Sequence, residues 1–113
     1  AAYQVPLNAS AAFNGFVANV SQPSQTTIGI QIAVANSISG SCNGVTYTFR
    51  GPTGTSDQFL IGSDPSVIQG TIPLLVSGTY ANPGQCLKYK LTLATTDQTA
   101  SPELYDITIN RSP

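Results

Sequence analysis

Between Thr27 and Ala35 the chain alternates with a period of two. Ile28, Ile30, Ile32 and Val34 share one side, and Gly29, Gln31 and Ala33 share the other. A helix turns by about 100° per residue and would scatter those four β-branched side chains around its surface. An extended strand puts them on one face, and β-branched residues pack well there. Such a strand has one buried and one wetter side, so it needs an antiparallel neighbour and a core beneath it.

The same period returns downstream. Val45, Tyr47 and Phe49 alternate with Thr46, Thr48 and Arg50. Leu87, Tyr89, Leu91 and Leu93 alternate with Lys88, Lys90 and Thr92, and Tyr105, Ile107 and Ile109 with Asp106, Thr108 and Asn110. This parity places Tyr47, Phe49, Tyr89 and Tyr105 in the core. Weaker strand signals cover Phe13 to Val20, Gln58 to Ile61, and Ile72 to Val76, where Pro73 restricts the strand to an edge or a bulge. Helical periodicity is absent almost everywhere. Asn14-Gly15 and Asn43-Gly44 read as turns that tolerate positive φ, Gly51 to Gly54 and Asn82-Pro83-Gly84 as loop corners, and Thr95 to Pro102 as a polar loop. The 113 residues fit one domain, 1–113. Regularly spaced short strands predict an all-β fold, an antiparallel β-sandwich of jelly-roll type with about seven to eight strands.

Charge narrows the function. Only 8% of residues are charged, against about 25% in an ordinary domain. The four basic and five acidic residues all lie at or beyond Arg50, and the net charge is −1. Nucleic-acid binding through phosphate neutralisation has no source in such a chain. His is absent, and with it the commonest general base and metal ligand. No apolar run approaches the roughly 20 residues of a membrane-spanning helix. The carboxylates Asp57, Asp64, Asp97, Glu103 and Asp106 show no spacing that sets two across a cleft. The reading is therefore a chain that is no enzyme and takes no cofactor and no resident metal. Asp57 and Asp64, in short oxygen-rich loops, are weak calcium candidates whose plainer role is to cap their own turns.

Cys42 and Cys86 are even in number and not in CxxC spacing. They are expected to form one disulfide, which needs an oxidising compartment; two buried free thiols are the other reading. Closing such a loop stabilises by roughly 3–4 kcal/mol on the chain-entropy argument. The opening Ala1-Ala2-Tyr3 looks like the residue of signal-peptide cleavage. Asn8 and Asn19 lie in N-x-Ser patterns, as does Asn110. Together these point to a secreted protein at the extracellular cell surface.

The second half resembles a β-sandwich module of bacterial extracellular and surface proteins, the galactose-binding-like jelly roll. The likeness lies in Val45 to Arg50 followed by Gly51 to Thr55, in Leu87 to Leu93, and in Thr95-Thr96-Asp97, Ser101-Pro102 and Leu104 to Asn110. The resemblance implies a jelly roll serving as an accessory domain of adhesins, appendages or extracellular enzymes. The chain lacks the Trp on which such modules stack sugars, and no ligand residue carries over.

Two functions remain. One is a non-catalytic structural subunit of an extracellular filament, pilus or surface appendage, assembling through its charge-free N-terminal half with copies of itself or a pilin-like partner chain. Phe13, Phe16 and Tyr80 are its expected contact residues. The other is an accessory module that binds carbohydrate or another cell-surface ligand.

Overall fold

The computed structural model of the chain describes residues 3–4, 11–23, 25–38, 40–61, 66–95 and 102–112. Its strands are β1 (Tyr3–Gln4), β2 (Ala12–Ser21), β3 (Thr26–Ala35), β4 (Val67–Thr71), β5 (Val76–Ser77), β6 (Tyr80–Ala81), β7 (Cys86–Thr95) and β8 (Glu103–Ser112). One sheet has the order β1-β7-β3 and a second the order β4-β2-β8, while β5 and β6 form a hairpin. Among the described residues every pairing is antiparallel, and no sheet closes into a barrel.

The alternation of β3 does what its sequence demands. Ile28, Ile30, Ile32 and Val34 are fully buried and join Phe13, Phe16, Ala18 and Val20 of β2 and Ile68 of β4 in one apolar cluster. The wetter side of β3 is buried as well. Gln31 donates from its Nε2 to the carbonyls of Ser56 and Asp57 at 2.9 and 3.1 Å, which folds residues 51–57 over this face. Gln58 sits over Gly29, where a Cβ would lie 2.0 Å from its side chain. The expected strand Val45 to Arg50 is part of this cover and is not a strand. Its backbone joins the ladder only at Arg50, which exchanges hydrogen bonds with Ile32. Gln58 to Ile61 likewise bonds only at Phe59, with Ile30. These two bridges leave Ile30 and Ile32 paired on the side away from β7.

Two bulges overturn the simple parity. Register shifts separate Phe13 from Gly15, and Asn19 from Val20. At the first, Asn14 is the extra residue, so Phe13 and Phe16 both face the core. Asn14-Gly15 is thus a bulge inside β2 and not a turn. At the second, Val20 pairs with Leu104 while Asn19 pairs with Asp106, which leaves Tyr105 as the extra residue of β8. Leu104 takes the inward place, and Tyr105 is 65% exposed instead of buried. Strand β4 carried no clear sequence signal. It ends two residues before Pro73, so the strand expected around Ile72 to Val76 survives only as β5.

Cys42 and Cys86 form the expected disulfide. Cys86 opens β7 opposite Ala35. Cys42 lies in the segment between β3 and β4, so the bridge fastens that segment to the outer side of the sheet. The Asn43-Gly44 turn is present, with Gly44 at φ 75°.

Candidate functional site

The charge-free half supplies the middle strand of one sheet, β2, and β3, whose far side is covered by residues 50–59. Along the inward faces of β2 and β3 the want of charge reflects burial, since an unpaired charge there would cost far more than it could return. Phe13 and Phe16 are core residues, and Phe16 meets Phe59 edge-to-face at 4.8 Å. Tyr80 is wholly buried too. None of the three expected contact residues offers surface to a partner.

Tyr80 belongs to a polar knot centred on Asn82. The Phe13 N–H donates to Asn82 Oδ1 at 3.0 Å, and Asn82 Nδ2 donates to the carbonyls of Phe13 and Pro73, both at 2.9 Å. The Tyr80 hydroxyl also donates to the Pro73 carbonyl, at 2.7 Å. Burial pushes this phenol up to about 12, against the pull of Asn82 and the Arg50 charge. Burial raises Tyr47 as well. The knot has no free donor to offer a ligand.

The remaining candidates are spoken for. Asp57 accepts from the Thr55 hydroxyl at 3.2 Å and the Thr53 N–H at 3.4 Å, capping its own loop. Asp64 and Asp97 lie outside the described residues, as does Asn8. Among the described residues no three His, Cys, Asp or Glu side chains gather as a metal would need. Lys88 and Lys90 do not pair with Asp106. Their ammonium groups sit 5.0 Å above the Tyr47 ring and 5.8 Å above the Phe49 ring, on the covered side of β7. Asp106 takes a 2.7 Å hydrogen bond from the Asn19 amide instead.

What remains is an open side. Leu87, Tyr89, Leu91 and Leu93 stand opposite Val34, Ile32, Ile30 and Ile28, and so share their inward face. Leu87 is buried, yet Tyr89 is 41% and Leu93 51% exposed. Across the gap, Leu104, Ile107 and Ile109 of β8 pack on the core and are only partly covered. A groove of about 300 Å³ lies at the buried start of the stripe, lined by Phe13, Leu87, Ile107, Ile109 and Arg111. Among the described residues β8 pairs with β2 alone, and β7 beyond Leu87 with β3 alone. Among the described residues, then, the edge of β7 from Tyr89 onward and the outer edge of β8 carry no partner strand, while β1 covers β7 at Leu87, where it meets the groove. Parity in β7 signals the stripe, but its exposure depends on strand order, which alternation does not encode.

A second hollow of about 300 Å³ is lined by small and aliphatic residues, among them Ile38, Val45 and Val76, with Thr46 and Thr79. It presents no aromatic ring and no charge. Comparison of the chain with protein-family models, curated proteins and solved structures finds no match.

Proposed function

We propose that this chain is a non-catalytic structural subunit of an extracellular filament, pilus or surface appendage, built as a β-sandwich of jelly-roll type from its two three-stranded sheets. The observation that carries this reading is the part-exposed apolar stripe Tyr89, Leu91 and Leu93 beside a strand edge that is unpaired among the described residues. Vacant edges are templates for another chain, and protected proteins cover or blunt them. A part-exposed apolar stripe along such an edge suits a protein that is completed by a neighbour. The partners are then copies of itself or a pilin-like chain, and assembly runs through the exposed side of β7 rather than through the buried Phe13, Phe16 and Tyr80. The disulfide fits secretion into an oxidising compartment. No described helix is long and apolar enough to cross a membrane. The second hollow gives a sugar no ring to stack on, so the carbohydrate-binding alternative has the weaker support.

Size-exclusion chromatography with negative-stain microscopy tests the reading. Fibres or a fixed oligomer are expected. A monomer at high concentration that is retained on a glycan array overturns it in favour of the binding module.

A further inference from the structure

Resting on the subunit reading, we propose that two copies of this chain join edge to edge through β7, antiparallel about a two-fold axis at Thr92, so that their β1-β7-β3 sheets run on into one. Edge vacancy, backbone direction, register and charge lead to that pairing.

The far end of β7 stands clear of its own molecule. Leu87 is buried, but from Thr92 to Thr95 every side chain is exposed, on both faces of the strand. β1 covers the edge only at Cys86 and Leu87, so beyond Leu87 the described strands leave it open. The stretch Tyr89 to Thr95 carries one charge, Lys90. The outer edge of β8 is blunter. It holds Glu103, Asp106 and Arg111 and is broken by the bulge at Tyr105. Charges and bulges both deter strand addition.

The backbone direction follows from β3. Ile30 and Ile32 spend their N–H and C=O groups on Phe59 and Arg50, away from β7. In a strand these groups alternate sides, so Gly29, Gln31 and Ala33 bond β7, through their partners Thr92, Lys90 and Lys88. Tyr89, Leu91 and Leu93 therefore turn their own N–H and C=O groups to the open edge. The residues that offer backbone bonds are the same ones that carry the apolar side chains. A second β7 brings the same combination. Antiparallel pairing sets directly opposite residues on one face, so both stripes stay inward. A parallel two-fold pair would turn one sheet over and put the stripes on opposite faces.

One choice fixes the register, namely which residue lies on the axis. Lys90 on the axis sets lysine against lysine, which is destabilising. Leu91 on the axis brings Thr95 onto Leu87, whose place Tyr3 already holds. Leu93 on the axis leaves Tyr89 beyond the end of its partner strand, which stops at Thr95. Thr92 on the axis uses the open stretch from Tyr89 to Thr95 in full and stops short of β1. Leu91 then exchanges bonds with Leu93 of the second copy, and Leu93 with Leu91, which gathers four leucines side by side. Tyr89 comes opposite Thr95. Lys90 comes opposite Ala94, so the two lysines stand four residues apart, about 13 Å along the strands. That exceeds the screening length of about 8 Å at physiological salt. The pairing closes on itself, so its product is a dimer that serves as the building block.

Backbone pairing and register are tested separately. Leu93→Pro removes a donor that faces the open edge and no bond of the β3–β7 ladder, a place where proline is tolerated. Light scattering is expected to show a concentration-dependent dimer for the wild type and at least tenfold weaker association for Leu93→Pro. Urea unfolding confirms that the variant folds; Leu93→Lys, at a side chain already 51% exposed, replaces it should it not. For the register, the two copies of Thr92 form a pair that is not hydrogen-bonded, with Cα atoms about 4.5 Å apart, within the reach of a disulfide. Thr92→Cys is expected to link to itself under mild oxidation, read on a non-reducing gel and by peptide mapping. Ala94→Cys, equally exposed and on the same face, stands four residues from its mate and should not. Selective linking through position 92 upholds the pairing even where the wild-type dimer is too weak to be seen by scattering. Assembly that Leu93→Pro leaves unchanged, or linking of Ala94→Cys as fast as Thr92→Cys, overturns the pairing and leaves the subunit reading standing. A monomeric wild type whose Thr92→Cys stays unlinked also overturns it and gives the edge to a different chain. Retention of that monomer on a glycan array overturns the subunit reading as well.

Discussion

Asn82 acts as a stand-in for a stretch of strand. Its amide presents the acceptor and donor that a neighbouring backbone would offer to Phe13, at 3.0 and 2.9 Å, and its second amide hydrogen reaches Pro73. A buried N–H or C=O left unpaired costs about 1–3 kcal/mol. Asn82→Ala is therefore expected to lower stability by about 2–4 kcal/mol in urea unfolding. Asn82→Asp should not restore it, because a carboxylate would set a second oxygen against the two carbonyls. Tyr80 beside it makes alkaline stability a readout of this knot. Its phenol is raised from 10.0 to about 12 by burial. Below pH 10 both folded and unfolded chains hold the proton, and the contribution is complete. Between about 10 and 12 the unfolded chain has released the proton and the folded chain retains it, so stability falls as pH rises. Tyr80→Phe should flatten that fall in unfolding curves taken across the window. Some slope will persist, because Tyr47 is raised in the same direction.

At the level of strands, glycine governs how closely the sheets approach. A Cβ on Gly70 would lie 2.5 Å from the Phe59 ring, and one on Gly15 would lie 2.9 Å from the Gly70 carbonyl. Phe59 in turn holds Ile30 and meets Phe16. Gly70→Ala should displace that ring and cost about 1–3 kcal/mol as an overpacked core. Thermal unfolding measures it. Side-chain alternation made β3, β7 and most of β8 legible in the sequence, because inward and outward residues differ in kind along their length. It misled wherever a bulge added a residue. Tyr105 has the inward parity by counting, but the extra residue hands its place to Leu104. It misled again at Val45 to Arg50, where alternation reflects a segment lying across a sheet with one side on Tyr47 and Phe49, not a ladder. The edge position of β7 was illegible for a different reason. Nothing local in Tyr89 to Leu93 records that β1 stops short of them.

Across the whole molecule, charge is sorted by position in the sheets. Lys88, Lys90, Glu103, Asp106 and Arg111 all lie on β7 and β8, the strands that border the groove. They sit off the inward stripe or at its end, so they discourage indiscriminate pairing while leaving the apolar track for a matching strand. Cys42 and Cys86 join residues 44 apart in sequence. On chain-entropy grounds the bridge contributes about 4 kcal/mol, so Cys42→Ala/Cys86→Ala should lower unfolding stability by that order in denaturant titration. The covalent loop also bears on tension. In a fibre of such subunits, pulling would reach each one through whichever strands it shares with its neighbours. The 44-residue span between the two sulfurs would stay clamped however hard the fibre is stretched. That withholds about 150 Å of slack per subunit, so a strained fibre would resist or part at a joint before it paid out the chain inside the clamp.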